Sequence, residues 1–125
     1  MEIGQKIYFR CIGNAHRRYG DKILEATVSK VGRKYFEVDS DHAQLTRERF
    51  FIHSLCHDGG EYIPNYHGYF SIKEIEEEDE ALNILHKAYR FFKDIYPGKL
   101  DGFTLEELRT IKKIIDDVER RSSKV

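Results

Sequence analysis

The sequence predicts an α+β fold: a small N-terminal antiparallel β-barrel of the SH3-like kind over residues 1–70, then a C-terminal helical hairpin over residues 71–125. Two observations predict it. The apolar pattern changes near residue 70 from short runs of period two to long stretches with steps of three and four. Composition changes at the same point: residues 1–70 hold 11 of the 16 aromatics, five of the six histidines, both cysteines and seven of the nine glycines. With 125 residues the chain buries about two-thirds of its unfolded surface on folding, so it needs no disulfide or metal as a staple. The helical pair is expected to pack on the barrel, and one compact domain holding both parts is also compatible with this length.

In the N-terminal part, Ile7, Phe9 and Cys11 alternate with Lys6, Tyr8 and Arg10, the period of a half-buried strand. Residues 13–21 (GNAHRRYGD) are a polar, glycine-flanked loop by composition. Leu24, Ala26 and Val28 share one face of a second strand, and Tyr35, Phe36 and Val38 mark a third. Between them Gly32 is expected to take a positive φ in a tight hairpin turn. Asp39 to His42 reads as another turn, and Phe50, Phe51 and Ile52 as a fourth strand, ended by the His57-Asp58-Gly59-Gly60 breaker. A fifth short strand is expected around His67–Phe70. Four or five short strands in 70 residues suit a small bent barrel, and an OB-like barrel is the competing topology.

The helical signals are stronger. Ser71 and Glu74 have the spacing of a capping box, and Leu82, Leu85, Tyr89, Phe92 and Ile95 follow on one face up to a Pro97-Gly98 stop. Thr104 and Glu107 repeat the capping box, before the stripe Leu105, Leu108, Ile111, Ile115 and Val118. The short 97–103 connection predicts an antiparallel hairpin. The second stripe either packs within the monomer or supplies a homodimer seam, since its steps approach a heptad over fewer than three repeats.

Net charge is −1, from 21 basic and 22 acidic side chains, so no global field selects a nucleic-acid or acidic partner. No apolar run is long enough for a membrane span, and the first residues lack the pattern of a secretion signal. The expected location is cytoplasmic, with Cys11 and Cys56 as reduced thiols.

Each candidate chemistry has a plain structural counterpart. The acidic run at Glu74–Glu80 complements a helix dipole, as Lys87, Arg90 and Lys93 do at the other end. His53, Cys56, His57, Asp58 and His67 are metal-ligand types, but no CxxC or HxxxH pair on a helix anchors a site, and no metal or other cofactor is expected. Cys56, His57 and Asp58 stand in a row, whereas a catalytic triad is assembled in space, so a Cys/His metal-dependent enzyme is the remote alternative. Phosphate-loop, dinucleotide and esterase motifs are absent from the sequence.

The basic and aromatic residues of the barrel are the most informative feature. His16, Arg17, Arg18, Tyr19 and Lys22 lie in the first loop. Lys30, Arg33, Lys34 and Tyr35 surround the hairpin tip, and Arg47 and Arg49 lead into the Phe strand. At one rim of a small barrel, Lys and Arg can meet phosphates while Tyr8, Tyr19 or Tyr35 stacks on bases. In that case Arg17, Arg18, Arg33 and Lys34 carry the affinity. The leading expectation is a non-enzymatic binding module for a protein or a protein–nucleic-acid complex, with nucleic acid alone as the alternative.

The stretch TVSKVGRKYFEV at 27–38, together with Arg49-Phe-Phe, Tyr62–Tyr69 and FTLEELRTIKKII at 103–115, resembles uncharacterised small β-barrel-domain proteins of Firmicute phages and mobile elements. The resemblance runs through most of the chain in order. It implies an accessory protein that modulates host or phage machinery, an inhibitor of a host defence nuclease being one such role. It implies no catalytic residue.

Overall fold

The computed structural model describes residues 1–60, 62–95 and 102–123; the expected Pro97-Gly98 stop and most of the 97–103 loop lie outside them. The chain divides into two compact units, Met1–Ile84 and Leu85–Val125.

The first unit holds strands β1 (Lys6–Cys11), β2 (Ile23–Val31), β3 (Tyr35–Asp39), β4 (Phe50–Phe51) and β5 (Tyr66–Tyr69). They form one curled antiparallel sheet in the order β4-β3-β2-β1-β5. The α+β class read from the sequence is the one observed, with the curled sheet forming a half-barrel ahead of the helices. The alternating pattern is realised residue by residue: Ile7, Phe9 and Cys11 of β1, Leu24, Ala26 and Val28 of β2, and Phe36 and Val38 of β3 are all buried. Phe9 pairs with Leu24 on one side and Gly68 on the other, so β1 sits in the middle of the core. A register shift between Val28 and Lys30 bulges β2 and helps bend the sheet.

The two edge strands are drawn together by residues 55–57. Phe51 donates its N–H to Cys56 O at 2.9 Å, His57 donates to Tyr66 O at 2.9 Å, and Gly68 donates to Leu55 O at 2.8 Å. Leu55 makes this crossing in the left-handed region, at φ 59, with its side chain buried.

Several local expectations differ from the structure. Residues 13–19 are not loop but a short helix, α1 (Gly13–Tyr19), which buries Ala15. Asn65 satisfies its first turn, with Oδ1 accepting from Ala15 N–H at 3.3 Å. A four-residue helix, α2 (Ala43–Thr46), buries Leu45 where only a connection was expected. Gly32 is not among the positive-φ glycines; the hairpin closes instead through its N–H on Tyr35 O at 2.9 Å. β4 stops at Phe51, where the chain turns back on itself and Leu55 donates its N–H to Phe51 O at 2.8 Å. β5 begins one residue early, at Tyr66, and Phe70 lies beyond it.

Helix α3 (Ile72–Lys93) starts in this unit. Ser71 Oγ accepts from Glu74 N–H at 3.2 Å, but the Glu74 carboxylate reaches back one residue further than a capping box requires, to Phe70 N–H at 3.0 Å. Ile75 is buried, and Arg10 on the outer face of β1 donates to Asp79 at 2.9 Å and to Ile75 O at 3.3 Å.

The second unit contains the end of α3 and helix α4 (Leu105–Ser122). The Thr104–Glu107 capping box has both of its bonds, at 3.0 and 3.1 Å. Phe91, Phe92 and Phe103 form an aromatic cluster, with Phe92 and Phe103 stacked at 5.9 Å. No described residue of α4 is fully buried. Among the described residues no helix is long and apolar enough to cross a membrane.

Candidate functional site

Six of the sequence candidates converge on one open groove of about 750 Å3: Lys30, Arg33, Lys34, Tyr35, Arg47 and Arg49. Three segments build it. The β2–β3 hairpin contributes the first four, and Gly32 keeps its tip tight, since a Cβ there would stand 3.3 Å from Tyr35 O. The turn after α2 contributes Arg47 and Arg49. The opposite wall is the Asp58-Gly59-Gly60 turn.

Tyr35 lies opposite Phe51 in the β3–β4 pairing, and their rings are 5.0 Å apart. The Arg49 guanidinium sits 4.2 Å from the Tyr35 ring centroid, and Lys34 Nζ lies 5.6 Å from that ring and 5.9 Å from Phe51. Such stacking holds a cation in place while leaving its outward N–H groups free. Arg49 Nε also donates to Asp58 Oδ2 at 2.9 Å. Asp58 accepts from Gly60 N–H at 3.1 Å. That backbone bond, followed by Arg49, holds the Asp58 carboxyl below its ordinary range.

The other groove carboxylates are also committed. Glu37 faces Lys30 across the hairpin at 3.6 Å. Glu48 accepts from the buried His57 at 2.8 Å. The tautomer of His57 follows from its partners: Asn65 N–H can only donate, to Nδ1 at 3.1 Å, so the proton is on Nε2 and points at Glu48. Five cations face three carboxylates, and the pairs Lys30–Glu37 and Arg49–Asp58 consume two of the five. Arg33, Lys34 and Arg47 remain without an ion pair among the described residues. A neutral His57 leaves the Glu48 charge in place, so the described residues give the groove a surplus of two positive charges.

The other five candidates do not line this groove. His16, Arg17 and Arg18 occupy the last turn of α1, where positive charge complements the helix dipole. His16 Nε2 pairs with Asp21 at 3.0 Å. Arg18 and Tyr19 border a smaller depression with Asn14, Gln44, Asn65 and Tyr66. Lys22 borders neither.

The metal-ligand types are dispersed among structural partners. His53 packs on Phe51 at 5.5 Å and His67 on Tyr69 at 4.8 Å, while Cys11 and Cys56 are free thiols. Among the described residues no three His, Cys, Asp or Glu side chains converge on a metal site. Asp58, Gly59, Gly60 and Glu48 belong to the groove, although the sequence marks Gly59 and Gly60 only as a strand breaker and Asp58 as that or a metal-ligand type. Their signal is the Asp-Gly-Gly turn nine residues beyond the Arg-rich stretch.

Comparison with known proteins adds one finding. Residues 1–120 match the family described as the phage ProQ C-terminal-like domain. No curated protein and no solved structure matches the chain.

Proposed function

The chain belongs to the phage ProQ C-terminal-like domain family, and from that premise we propose a non-enzymatic binding module whose groove takes the phosphate backbone of a nucleic acid, free or within a protein–nucleic-acid complex. One observation carries this reading: Arg33, Lys34 and Arg47 line a single groove without carboxylate partners among the described residues, beside an Arg49 held flat on Tyr35. Phosphate oxygens are the ligand chemistry that such a cluster satisfies. Because Arg49 occupies a face of Tyr35, the groove favours backbone contact over stacking on bases, so recognition tolerates many sequences. A phage-associated module of this kind acts by occupying nucleic acid or by docking on a machine that holds it.

Fluorescence anisotropy with labelled 20-nucleotide RNA, single-stranded DNA and duplex DNA tests this directly. Three phosphate contacts predict a slope of log K on log salt of about −2 for a single strand and about −3 for a duplex. Between 50 and 200 mM salt that is a loss of roughly 15- to 60-fold. The double variant R33E/K34E weakens binding at least tenfold, while exposed positions of this kind change stability by no more than about 0.5 kcal/mol. R17E/R18E serves as the comparison, removing as much positive charge outside the groove. Loss of binding in R17E/R18E with none in R33E/K34E transfers the site to α1, and absence of binding at 50 mM salt overturns the reading.

A further inference from the structure

We propose that α4 pairs antiparallel with the α4 of a second copy of this chain, about a two-fold axis passing near Lys113. The unit Leu85–Val125 spans 41 residues, and none of its described residues is buried. Two helices this short do not enclose a core by themselves. Ile114, Ile115 and Val118 are 57, 51 and 45% exposed on a helix whose opposite face is almost wholly charged. An apolar stripe of this extent requires cover.

The sequence of α4 selects a second copy as that cover. In heptad terms Leu108 and Ile115 take the a positions and Ile111 and Val118 the d positions. Antiparallel pairing about Lys113 sets Leu108 opposite the partner's Val118 and Ile111 opposite the partner's Ile115, so four residues of the stripe meet apolar partners, while Leu105 lies at its end outside these layers. One charge pair follows the same axis, while the two Lys112 side chains that flank it are each held by their own Asp116 at 2.8 Å. Acidic residues Glu106 and Glu107 occupy the first turn and basic residues Arg120 and Arg121 the last. Two-fold pairing brings Glu107 to the partner's Arg121, twice per dimer. Neither of these residues has an ion pair among the described residues, whereas Glu106, Lys112 and Arg120 do. A parallel pair would stack the acidic turns on each other and align the two helix dipoles. The occupant is thus a copy of the same helix, in one direction.

Light scattering on the full chain measures the mass, and spin labels measure the direction. At about 50 µM the expected mass is twice 14.8 kDa, for a helix pair whose Kd is micromolar or tighter. A spin label at S122C, in a C56S background, lies nine residues from the axis. At 1.5 Å rise the two labels are then about 30 Å apart in the antiparallel dimer, against about 10 Å in a parallel one. I115D should halve the mass. A monomeric mass for the unmodified protein, a label distance near 10 Å, or an I115D variant that stays dimeric each overturns the proposal.

Discussion

Replacing Phe50 by alanine removes the side chain on which the curled sheet closes. Its ring is fully buried and lies 4.5 Å from Phe9, 5.4 Å from Phe36 and 5.9 Å from His57. A fully buried Phe→Ala change costs about 3–5 kcal/mol, from lost transfer energy plus the cavity left behind. The unit that contains it, Met1–Ile84, has an expected stability of about 4–13 kcal/mol at 0.05–0.15 kcal/mol per residue. The substitution therefore removes a large share of it. With a urea m-value of about 1.5 kcal/mol/M, the midpoint falls by about 2–3 M. The assay is urea unfolding followed by far-UV circular dichroism and tyrosine emission, since the chain has eight Tyr and no Trp. Phe51→Ala is the internal control. It adjoins Phe50 in the same two-residue strand but points the other way, half-buried, against Tyr35 and His53. Its expected cost is about 1 kcal/mol, the size of the aromatic pairing it loses, and its main effect is to loosen Tyr35 and weaken ligand binding in the groove. Equal costs for the two variants, or a Phe50→Ala cost below about 1.5 kcal/mol, would refute the inward and outward assignment of this strand.

Two further outcomes test the sheet. A Cβ at Gly68 would stand 3.1 Å from Ile7 Cγ2, Leu55 O and Phe9 Cε1 at once, so G68A costs about 1–3 kcal/mol by overpacking; an unchanged urea midpoint would show that β5 does not approach β1 so closely. Cys11 is 1% exposed and burial pushes its thiol above the ordinary value, while Cys56 is half-buried. Ellman's reagent is expected to react with one thiol in the native protein and two in urea, and rapid reaction of both in the native state contradicts the placement of Cys11.

The legible parts of the fold are those with a strict period. Ile7, Phe9 and Cys11, and Leu24, Ala26 and Val28, alternate because one face of each strand is buried. The Thr104–Glu107 box announces α4 because its two bonds lie within four residues of each other. α1 and α2 carry no such signal: each buries a single residue, Ala15 or Leu45, so no periodicity develops over seven or four positions. α1 also depends on Asn65, fifty residues away, which no local pattern contains. The groove divides in the same way. Lys30, Arg33, Lys34 and Tyr35 come together on one hairpin and are readable as a cluster. Arg47 and Arg49 join them only because α2 turns the chain and β4 pairs with β3. The separate placement of Arg17 and Arg18 depends on the direction of α1, which Ala15 and Asn65 set. The contact of Glu48 with His57 is tertiary and has no signature in the sequence.

The crossing at residues 55–57 has a consequence for how this protein can be approached by others. An open sheet offers main-chain N–H and C=O groups along its edges, and many partners bind by laying down one more strand there. Here Phe51 N–H at one edge, and Tyr66 O and Gly68 N–H at the other, are already bonded to Leu55, Cys56 and His57. Strand addition at these edges would first have to peel away a segment anchored by a buried leucine. Along these two edges it is side chains that stay accessible, and their charges can be exchanged one at a time without reopening the sheet.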